Sequence, residues 1–173
     1  MGKVKQLDLL IRVMANINRY SDKLIVFVIG SGPEENMCKK LAKSLNVDNI
    51  KWIGQVKYED VCGIMGGSDF LIHTSYREAA SSVVMEALSK GLPIICHDVG
   101  GMSIAVNEKC GIKIPLKSYQ NSIDGFSEGM EKLINNDKHL YDLKNGAINR
   151  SKEITWAKMT EDITNDYVAS IKE

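Results

Sequence analysis

The sequence predicts an α/β fold in which helices cover both faces of a parallel β-sheet. Short apolar, β-rich runs alternate along the chain with amphipathic helical patterns. The run over 24–29 is apolar at every position, which is typical of a central parallel strand buried on both faces. Nearly all the glycines that follow a predicted strand lie in loops at the carboxyl ends of the strands, where ligands bind in such sheets.

In the first part of the chain, apolar residues recur every three or four positions in three segments, which is the spacing of one helix face. Two β-rich runs separate these segments, and each run stops at a glycine, Gly30 or Gly54. The predicted order is helix 4–18, strand 24–29, helix 34–45, strand 50–53 and helix 58–65.

The same alternation continues towards the C-terminus. Gly91 directly follows a helical segment, as a glycine that ends a helix does, and the pair Gly100 and Gly101 opens a short helix. The remaining elements are strand 69–73, helix 82–90, strand 93–96, helix 100–107, strand 111–114, helical sequence from about 121, and a last helix over 156–171. Five strands in this order predict a doubly wound, Rossmann-like sheet.

Composition predicts one soluble domain over 1–173. The 22 basic and 22 acidic residues give zero net charge, which argues against a basic nucleic-acid surface or a polybasic membrane patch. No stretch approaches the roughly 20 apolar residues that span a bilayer, and charged residues interrupt the N-terminus where a signal peptide would be apolar. The 4 cysteines form no CxxC pair and no zinc-like spacing, which predicts reduced thiols and no metal site.

Two carboxylates, Glu78 and Glu86, make the segment before the strand over 93–96 the candidate site. Ser81 or Ser82 is a good N-cap, which places Glu78 in a loop and Glu86 about one turn into a helix. Both carboxylates can then face one cleft above the sheet. There they can accept hydrogen bonds from the vicinal hydroxyls of sugars and riboses.

Backbone amides between these carboxylates lie at the predicted helix N-terminus, where free donors and the helix dipole suit a phosphate. They belong to Ala79, Ala80, Ser81 and Ser82. Hydroxyl-binding groups on both sides of a phosphate cradle fit a sugar–diphosphate–ribose ligand. On spacing alone, a surface ion pair of Glu86 with Lys90 and an ordinary loop role for Glu78 stay open.

The Glu78-x7-Glu86 pattern, followed by Ala, a small run and Gly-x-Pro before an apolar strand, resembles the nucleotide-sugar site of family 4 glycosyltransferases. These are retaining enzymes of the GT-B fold. The resemblance covers nearly the whole chain in order. Its further parts are Val28-Ile-Gly-Ser-Gly-Pro33, Ile50-Lys-Trp-Ile-Gly54, Ser68-Asp-Phe-Leu-Ile-His-Thr-Ser75 and Asp98-Val-Gly-Gly101.

The resemblance implies a role for each matching residue. Glu86 matches the carboxylate that holds the ribose hydroxyls of the donor nucleotide. Glu78 matches the one that contacts the donor sugar near the reacting carbon, and it is the predicted catalytic residue. Lys5 resembles the lysine that neutralises the diphosphate at the start of the first helix. The loop that lines the base, largely through backbone groups, is matched by Gly54, Gln55 and Val56.

The resemblance also implies transfer of a sugar from a nucleoside-diphosphate sugar, with UDP- or GDP-sugars most expected, to a carbohydrate or lipid-linked acceptor in cell-surface polysaccharide or glycan synthesis. No cofactor, metal or nucleic acid is expected. The chain is expected to be the C-terminal, donor-binding half of a GT-B enzyme, inactive or nearly so without the absent acceptor-binding half. The expected location is cytoplasmic, with attachment of the full-length enzyme to the inner membrane left open.

Three departures from the family pattern leave alternatives open. Ala79-Ala80-Ser81 stands where relatives often carry glycine, no Glu follows Gly101, and no Arg precedes Lys5. A GT-B sugar-nucleotide epimerase would share the fold and the ligand. A non-catalytic nucleotide-sugar-binding module would fit the Ala-Ala-Ser loop. A dinucleotide oxidoreductase is disfavoured, because the glycine-rich turn at 30–35 lacks the third glycine of its motif.

Overall fold

The computed structural model describes residues 5–79 and 81–171, over which β-strands alternate with α-helices. The strands are β1 (Val26–Ile29), β2 (Ile50–Gly54), β3 (Leu71–His73), β4 (Ile94–His97) and β5 (Gly111–Ile114). The helices are α1 (Leu7–Asn16), α2 (Glu35–Ser44), α3 (Tyr58–Gly66), α4 (Ser82–Ser89), α5 (Gly100–Ala105), α6 (Tyr119–Ile134), α7 (Asp137–Glu153) and α8 (Trp156–Ile171). The predicted order is confirmed, with most ends shifted by a residue or two.

The strands form two parallel sheets. β1 pairs with β2, with Val26 opposite Ile50. β3, β4 and β5 form the second sheet in that order, with Ile94 between Leu71 and Gly111. The α/β class with parallel strands is therefore confirmed. One continuous sheet of five strands is not observed, since no pairing within the described ranges joins β1 or β2 to the other three strands.

Helices cover both faces of the second sheet. Successive side chains of a strand point to opposite faces, and on β4 they enter two different apolar clusters. Ile95 packs in a cluster with Phe126 and Met130 of α6, together with the apolar side of α1. Ile94 packs in a second cluster with Leu88 of α4 and Met102 of α5. This arrangement is the doubly wound layering that the alternating sequence predicted.

Strand β1 is buried on one face. Val26 and Val28 are buried, whereas Ile25 and Phe27 are 57% and 46% exposed. The apolar run had predicted burial on both faces, and this prediction is wrong for the face that carries Ile25 and Phe27, because that face borders open space and not a packed layer. Ile25 and Phe27 instead line an open cleft between the two sheets.

The longest helices are the three at the C-terminal end, with 16, 17 and 16 residues. α6 buries Phe126, Met130 and Leu133 against the sheet and α1. Within the part of the chain that the structure describes, no helix combines the length and the apolar character needed to cross a membrane.

Candidate functional site

The predicted loops follow β1, β2, β3 and β4 at the carboxyl ends of the strands. The first two are tied together, because the Gly30 N–H donates to the Gly54 carbonyl oxygen over 2.7 Å. The loops after β3 and β4 are tied in the same way, since the Gly101 N–H donates to the Glu78 carbonyl oxygen over 3.2 Å. In each sheet, a backbone hydrogen bond therefore holds two neighbouring loops together at the carboxyl ends of the strands.

Lys5 and Glu78 form the centre of the site. The Lys5 Nζ lies 2.6 Å from Glu78 Oε2, with the lysine side chain half-exposed and the carboxylate 18% exposed. Lys5 directly precedes the turn into α1, and Glu78 lies in the loop between β3 and α4. Thr74 holds the backbone of Lys5 near the end of β3, because its Oγ1 donates to the Lys5 carbonyl oxygen over 2.6 Å. A cation and a carboxylate thus stand within reach of one ligand.

His73, at the end of β3, extends this group to the start of α4. Its Nε2 lies 3.3 Å from Ser81 Oγ and 3.8 Å from Glu78 Oε2. Burial first, and then the Lys5 ammonium, lowers the pKa of His73 from its ordinary 6.5, so the imidazole is neutral at pH 7. The sequence left open whether His73, at a strand end near Glu78, contacts the ligand or is structural; in the structure its side chain links Glu78 to Ser81.

Ser81 occupies the N-cap position of α4, as predicted, but its hydroxyl faces His73. No side chain of the described residues caps the helix there. A helix start without a cap leaves N–H donors for another acceptor and carries the positive end of the helix dipole. Ala79 and Ser82 flank this position and are exposed. Ala80, also predicted for the site, lies outside the described residues.

Gly100 and Gly101 support the loop of Glu78 from the neighbouring strand end. Gly100 has a φ of +51°, and a Cβ at this position would overlap the Glu78 carbonyl oxygen. The backbone of the turn after β4 therefore packs directly on the backbone of the Glu78 loop. This contact explains why a glycine stands at position 100.

Glu86 belongs to a second part of the site. It is half-buried on α4 and interacts with Tyr58, the first residue of α3, which is 60% exposed. A hydrogen bond with Cys62 is the largest cause that raises the pKa of the Tyr58 phenol, and electrostatic interactions with Cys62 and with Glu86 add to it. The loop before α3 carries Gln55 and Val56, both exposed.

The structure thus brings the predicted residues together as two groups. One holds Lys5, Glu78 and Ser81. The other holds Glu86 beside Tyr58, which begins the helix that follows the loop of Gly54, Gln55 and Val56. His97, which directly follows the strand predicted over 93–96, is fully buried and forms hydrogen bonds with the Ser75 carbonyl oxygen and the Ser122 hydroxyl, so its role is structural.

Tyr58 and Thr74 were missed by the sequence analysis. An exposed aromatic at a helix start beside a predicted ligand loop is a signal that could have pointed to Tyr58. Thr74 carries no such signal, because its partner is a backbone carbonyl 69 positions away.

Comparison with known sequences assigns this chain to one family. A family model described as glycosyl transferases group 1 matches residues 1–150. A D-inositol 3-phosphate glycosyltransferase of Corynebacterium aurimucosum is 25% identical over 173 residues, which cover 95% of this chain and 40% of that protein. The chain therefore spans less than half the length of this relative.

Comparison of structures gives the same picture of the fold. The pneumococcal O-GlcNAc transferase GtfA, in complex with UDP and GlcNAc, matches with a TM-score of 0.79 and 19% identity over 99% of this chain and 33% of its own. The C-terminal domain of a glycosyl transferase group 1 family protein from Francisella tularensis matches with a TM-score of 0.72 and 16% identity. That match covers 88% of this chain and 80% of the Francisella domain.

Proposed function

Because the chain belongs to the glycosyl transferases group 1 family, we propose that it is the donor-binding domain of a retaining glycosyltransferase that uses a nucleoside-diphosphate sugar. The acceptor is a carbohydrate or lipid-linked molecule in cell-surface polysaccharide or glycan synthesis, and a further domain binds it. The observation that carries the proposal is the Lys5–Glu78 pair at 2.6 Å, next to the uncapped start of α4.

Lys5 and the start of α4 bind the diphosphate. An ammonium and free helix N–H groups together supply positive charge and directed donors, which is what a diphosphate leaving group requires. Glu78 holds Lys5 in place before the donor arrives. The phosphate oxygens then bind the Lys5 ammonium in place of Glu78, since the lysine side chain is half-exposed and can turn towards them.

Glu78 acts on the donor sugar. Its carboxylate accepts hydrogen bonds from sugar hydroxyls, and it stands beside the charge that stabilises the departing diphosphate. His73, held neutral by burial, lies 3.8 Å from the same carboxylate oxygen and keeps it beside the helix start. Catalysis is then a matter of position and electrostatics, in which the residues orient the sugar and stabilise the leaving group.

Glu86 and the loop after β2 bind the nucleoside. The carboxylate accepts the two ribose hydroxyls, while Gly54, Gln55 and Val56 line the base through backbone groups. UDP- or GDP-sugars are the proposed donors, and the presence of UDP in the pneumococcal relative supports the first of these.

Calorimetric titration of UDP and GDP into the chain tests the nucleotide site. We expect Glu86→Ala to weaken binding about ten- to hundredfold, because it removes hydrogen bonds to a charged group. Glu161→Ala, a matched change at an exposed glutamate of α8, leaves the affinity unchanged. Equal affinity of Glu86→Ala and the parent chain would remove the ribose assignment.

A second pair of ligands separates the phosphate role from the nucleoside role. Lys5→Gln weakens UDP binding but leaves uridine binding unchanged, because uridine lacks the phosphates that the ammonium contacts. Failure of the parent chain to bind either nucleotide would favour a non-catalytic module that has lost its ligand.

Turnover is tested in a polypeptide that joins this domain to an acceptor-binding domain. Glu78→Gln is expected to abolish sugar transfer and to leave nucleotide binding in place. Incubation with donor and no acceptor distinguishes the alternative reaction, because a sugar-nucleotide epimerase would release an epimer under these conditions. Full transfer by the Glu78→Gln enzyme would contradict the role of this carboxylate.

A further inference from the structure

The loop that carries Glu78 is bound at two points to the end of β4 and the turn that follows it. At the first point, the His97 Nδ1 lies 3.2 Å from the Ser75 carbonyl oxygen. At the second, the Gly101 N–H donates to the Glu78 carbonyl oxygen over 3.2 Å. The two residues between these contacts are exposed. The fixed points of the loop backbone before α4 are therefore supplied by the neighbouring strand.

His97 is fully buried, and both nitrogens of its ring have partners. The Nε2 lies 2.9 Å from the Ser122 Oγ on α6. A carbonyl oxygen can only accept, so the Nδ1 that faces Ser75 carries the ring hydrogen. Burial lowers the pKa of His97, so the ring is neutral at pH 7 and its Nε2 accepts the hydroxyl hydrogen of Ser122. One tautomer of the neutral ring thus satisfies both contacts.

Helix α6 holds this ring in one orientation. Ser122 bonds the Nε2, and Phe126, one turn further along α6, packs against the ring at 84° with centroids 5.0 Å apart. Phe126 also packs with Ile95 of β4 in the apolar core. The Nδ1–H is therefore directed at the Ser75 carbonyl oxygen by two elements that are themselves packed in the core.

The Ser75 backbone matters because the site residues lie on either side of it. Thr74 comes directly before it and holds the Lys5 carbonyl oxygen, while Glu78 comes three residues after it and meets the Lys5 ammonium. Site residues have to be held within about 0.5 Å of a productive geometry by the groups behind them. A hydrogen bond to the Ser75 carbonyl lies directly behind both members of the Lys5–Glu78 pair.

We propose that His97 is a positioning residue of the candidate site, whose Nδ1–H holds the Ser75 carbonyl oxygen and thereby places the Glu78 carboxylate for the donor sugar. His97 is fully buried and acts through the loop backbone, without contact to the ligand. The purpose of this placement rests on the function proposed above for Glu78. The attachment of the loop to His97 can be tested without any ligand.

Two substitutions separate the two hydrogen bonds of the ring. The amide nitrogen of His97→Asn takes the place of Nδ1 and can still donate to Ser75, whereas the amide of His97→Gln takes the place of Nε2 and reaches Ser122 instead. Each variant loses one buried hydrogen bond, so urea unfolding is expected to show similar losses of stability. Ser122→Ala is the matched control, because it removes the contact with α6 and leaves the contact with Ser75.

Amide hydrogen exchange of the ligand-free chain, followed by NMR, measures the attachment of the loop. The Gly101 amide donates to the loop, and the Asp98 amide, which donates to the last residue of β5 over 2.8 Å, is the internal reference. Exchange at Gly101 relative to Asp98 is expected to rise by at least about tenfold in His97→Gln. It stays at the parent value in His97→Asn and Ser122→Ala. An equal ratio in all three variants would overturn the proposal.

Turnover measures the consequence for the site, in the polypeptide that joins this domain to an acceptor-binding domain. His97→Gln is expected to lower kcat by at least about tenfold, and His97→Asn to retain most of it. Equal losses in the two variants would contradict the placement of Glu78. Failure of the parent to use any UDP- or GDP-sugar would remove the proposed function and the purpose of the placement, while the exchange ratio would still decide whether His97 holds the loop.

A further variant covers the case in which His97→Gln does not fold. His97→Leu/Ser122→Ala removes both ring contacts and leaves no unpaired side-chain group on the α6 side. A raised exchange ratio at Gly101 in this variant supports the proposal, and the parent ratio overturns it. Nitrogen NMR of the His97 ring needs no substitution: a hydrogen on Nδ1 supports the contact with Ser75, and a hydrogen on Nε2 alone contradicts it.

Discussion

Gly100 shows how a single residue fixes the candidate site. Its φ of +51° is a conformation that residues with a side chain rarely adopt, and its missing Cβ makes room for the Glu78 carbonyl oxygen. The obstacle that a side chain would meet is backbone, which cannot turn aside as a flexible side chain can. The position of Glu78 therefore depends on the absence of a side chain at position 100.

We predict that Gly100→Ala lowers the free energy of unfolding by at least about 2 kcal/mol, because strain in the backbone adds to the overlap with Glu78. Nucleotide binding weakens as well, since the loop of Glu78 has to move. Gly63→Ala is the matched control, because a Cβ there meets nothing within 4 Å. It lies inside α3 and is expected to stabilise the chain by up to about 1 kcal/mol. Urea unfolding measures both changes, and equal losses would contradict the proposed contact.

Two buried histidines make stability depend on pH. Burial is the largest cause that lowers the pKa of His73 and of His97 below the ordinary value of 6.5. The unfolded chain therefore binds more protons than the folded chain just below pH 6.5. The stability that the neutral imidazoles contribute is fully present above about pH 6.5 and is lost as the pH falls from there towards the lower pKa of the folded imidazoles.

We predict a free energy of unfolding that falls as the pH is lowered below about 6.5 in the parent chain. The fall is smaller in His73→Gln/His97→Gln, which has no imidazole at either position. Urea titrations at closely spaced pH values measure the slopes, and the comparison between the two proteins removes the contribution of carboxylates that both share. Identical slopes would show that neither histidine is held neutral in the folded chain.

The residue types of the site could be predicted from sequence, while their contacts could not. Glu78, Ser81 and Glu86 follow from local spacing, because helix position and capping are local properties. The Lys5–Glu78 contact joins residues 73 positions apart and requires two loops to meet. Ser81 shows the same limit, since its position at the N-cap is local but its hydroxyl turns to His73.

At the scale of elements, periodicity predicted most helices and strands because burial on one face leaves a regular pattern. The apolar pattern predicted the first helix over 4–18, but α1 ends at Asn16 and is followed by a 3₁₀ helix, Asn18–Lys23. The prediction that β1 is central is where the pattern and the structure differ. An apolar run records the environment for which the strand is suited, and β1 lacks a neighbour on the cleft side among the described residues.

Helix α6 has the largest part in holding the elements together. Its Phe126 is fully buried, and the Phe126 ring packs nearly perpendicular to the His97 ring with centroids 5.0 Å apart. On the other side, Ser127 accepts a hydrogen bond from Asn16 at the end of α1. Because α6 contacts β4, β5 and α1, it connects the second sheet to the helix that precedes the first.

At the scale of the whole molecule, one apolar cluster serves both sheets. It contains Val28 and Ile50 from the first sheet and Ile95 and Ile114 from the second. The sheets share no strand pairing in the described part of the chain, so these side chains and the helices α1 and α6 are what join them. Apolar contact across a shared core is the basis of cooperative unfolding in small domains.

We therefore predict that the two sheets unfold in one transition. Trp52 on β2 reports on the first sheet, and replacing the other tryptophan by Trp156→Phe leaves its fluorescence as the sole indole signal. The fluorescence midpoint in urea is expected to coincide with the midpoint from far-UV circular dichroism, which reports on all helices. An earlier fluorescence midpoint would mean that β1 and β2 separate before α6 unfolds. In that case the shared cluster would be too weak to couple the two sheets.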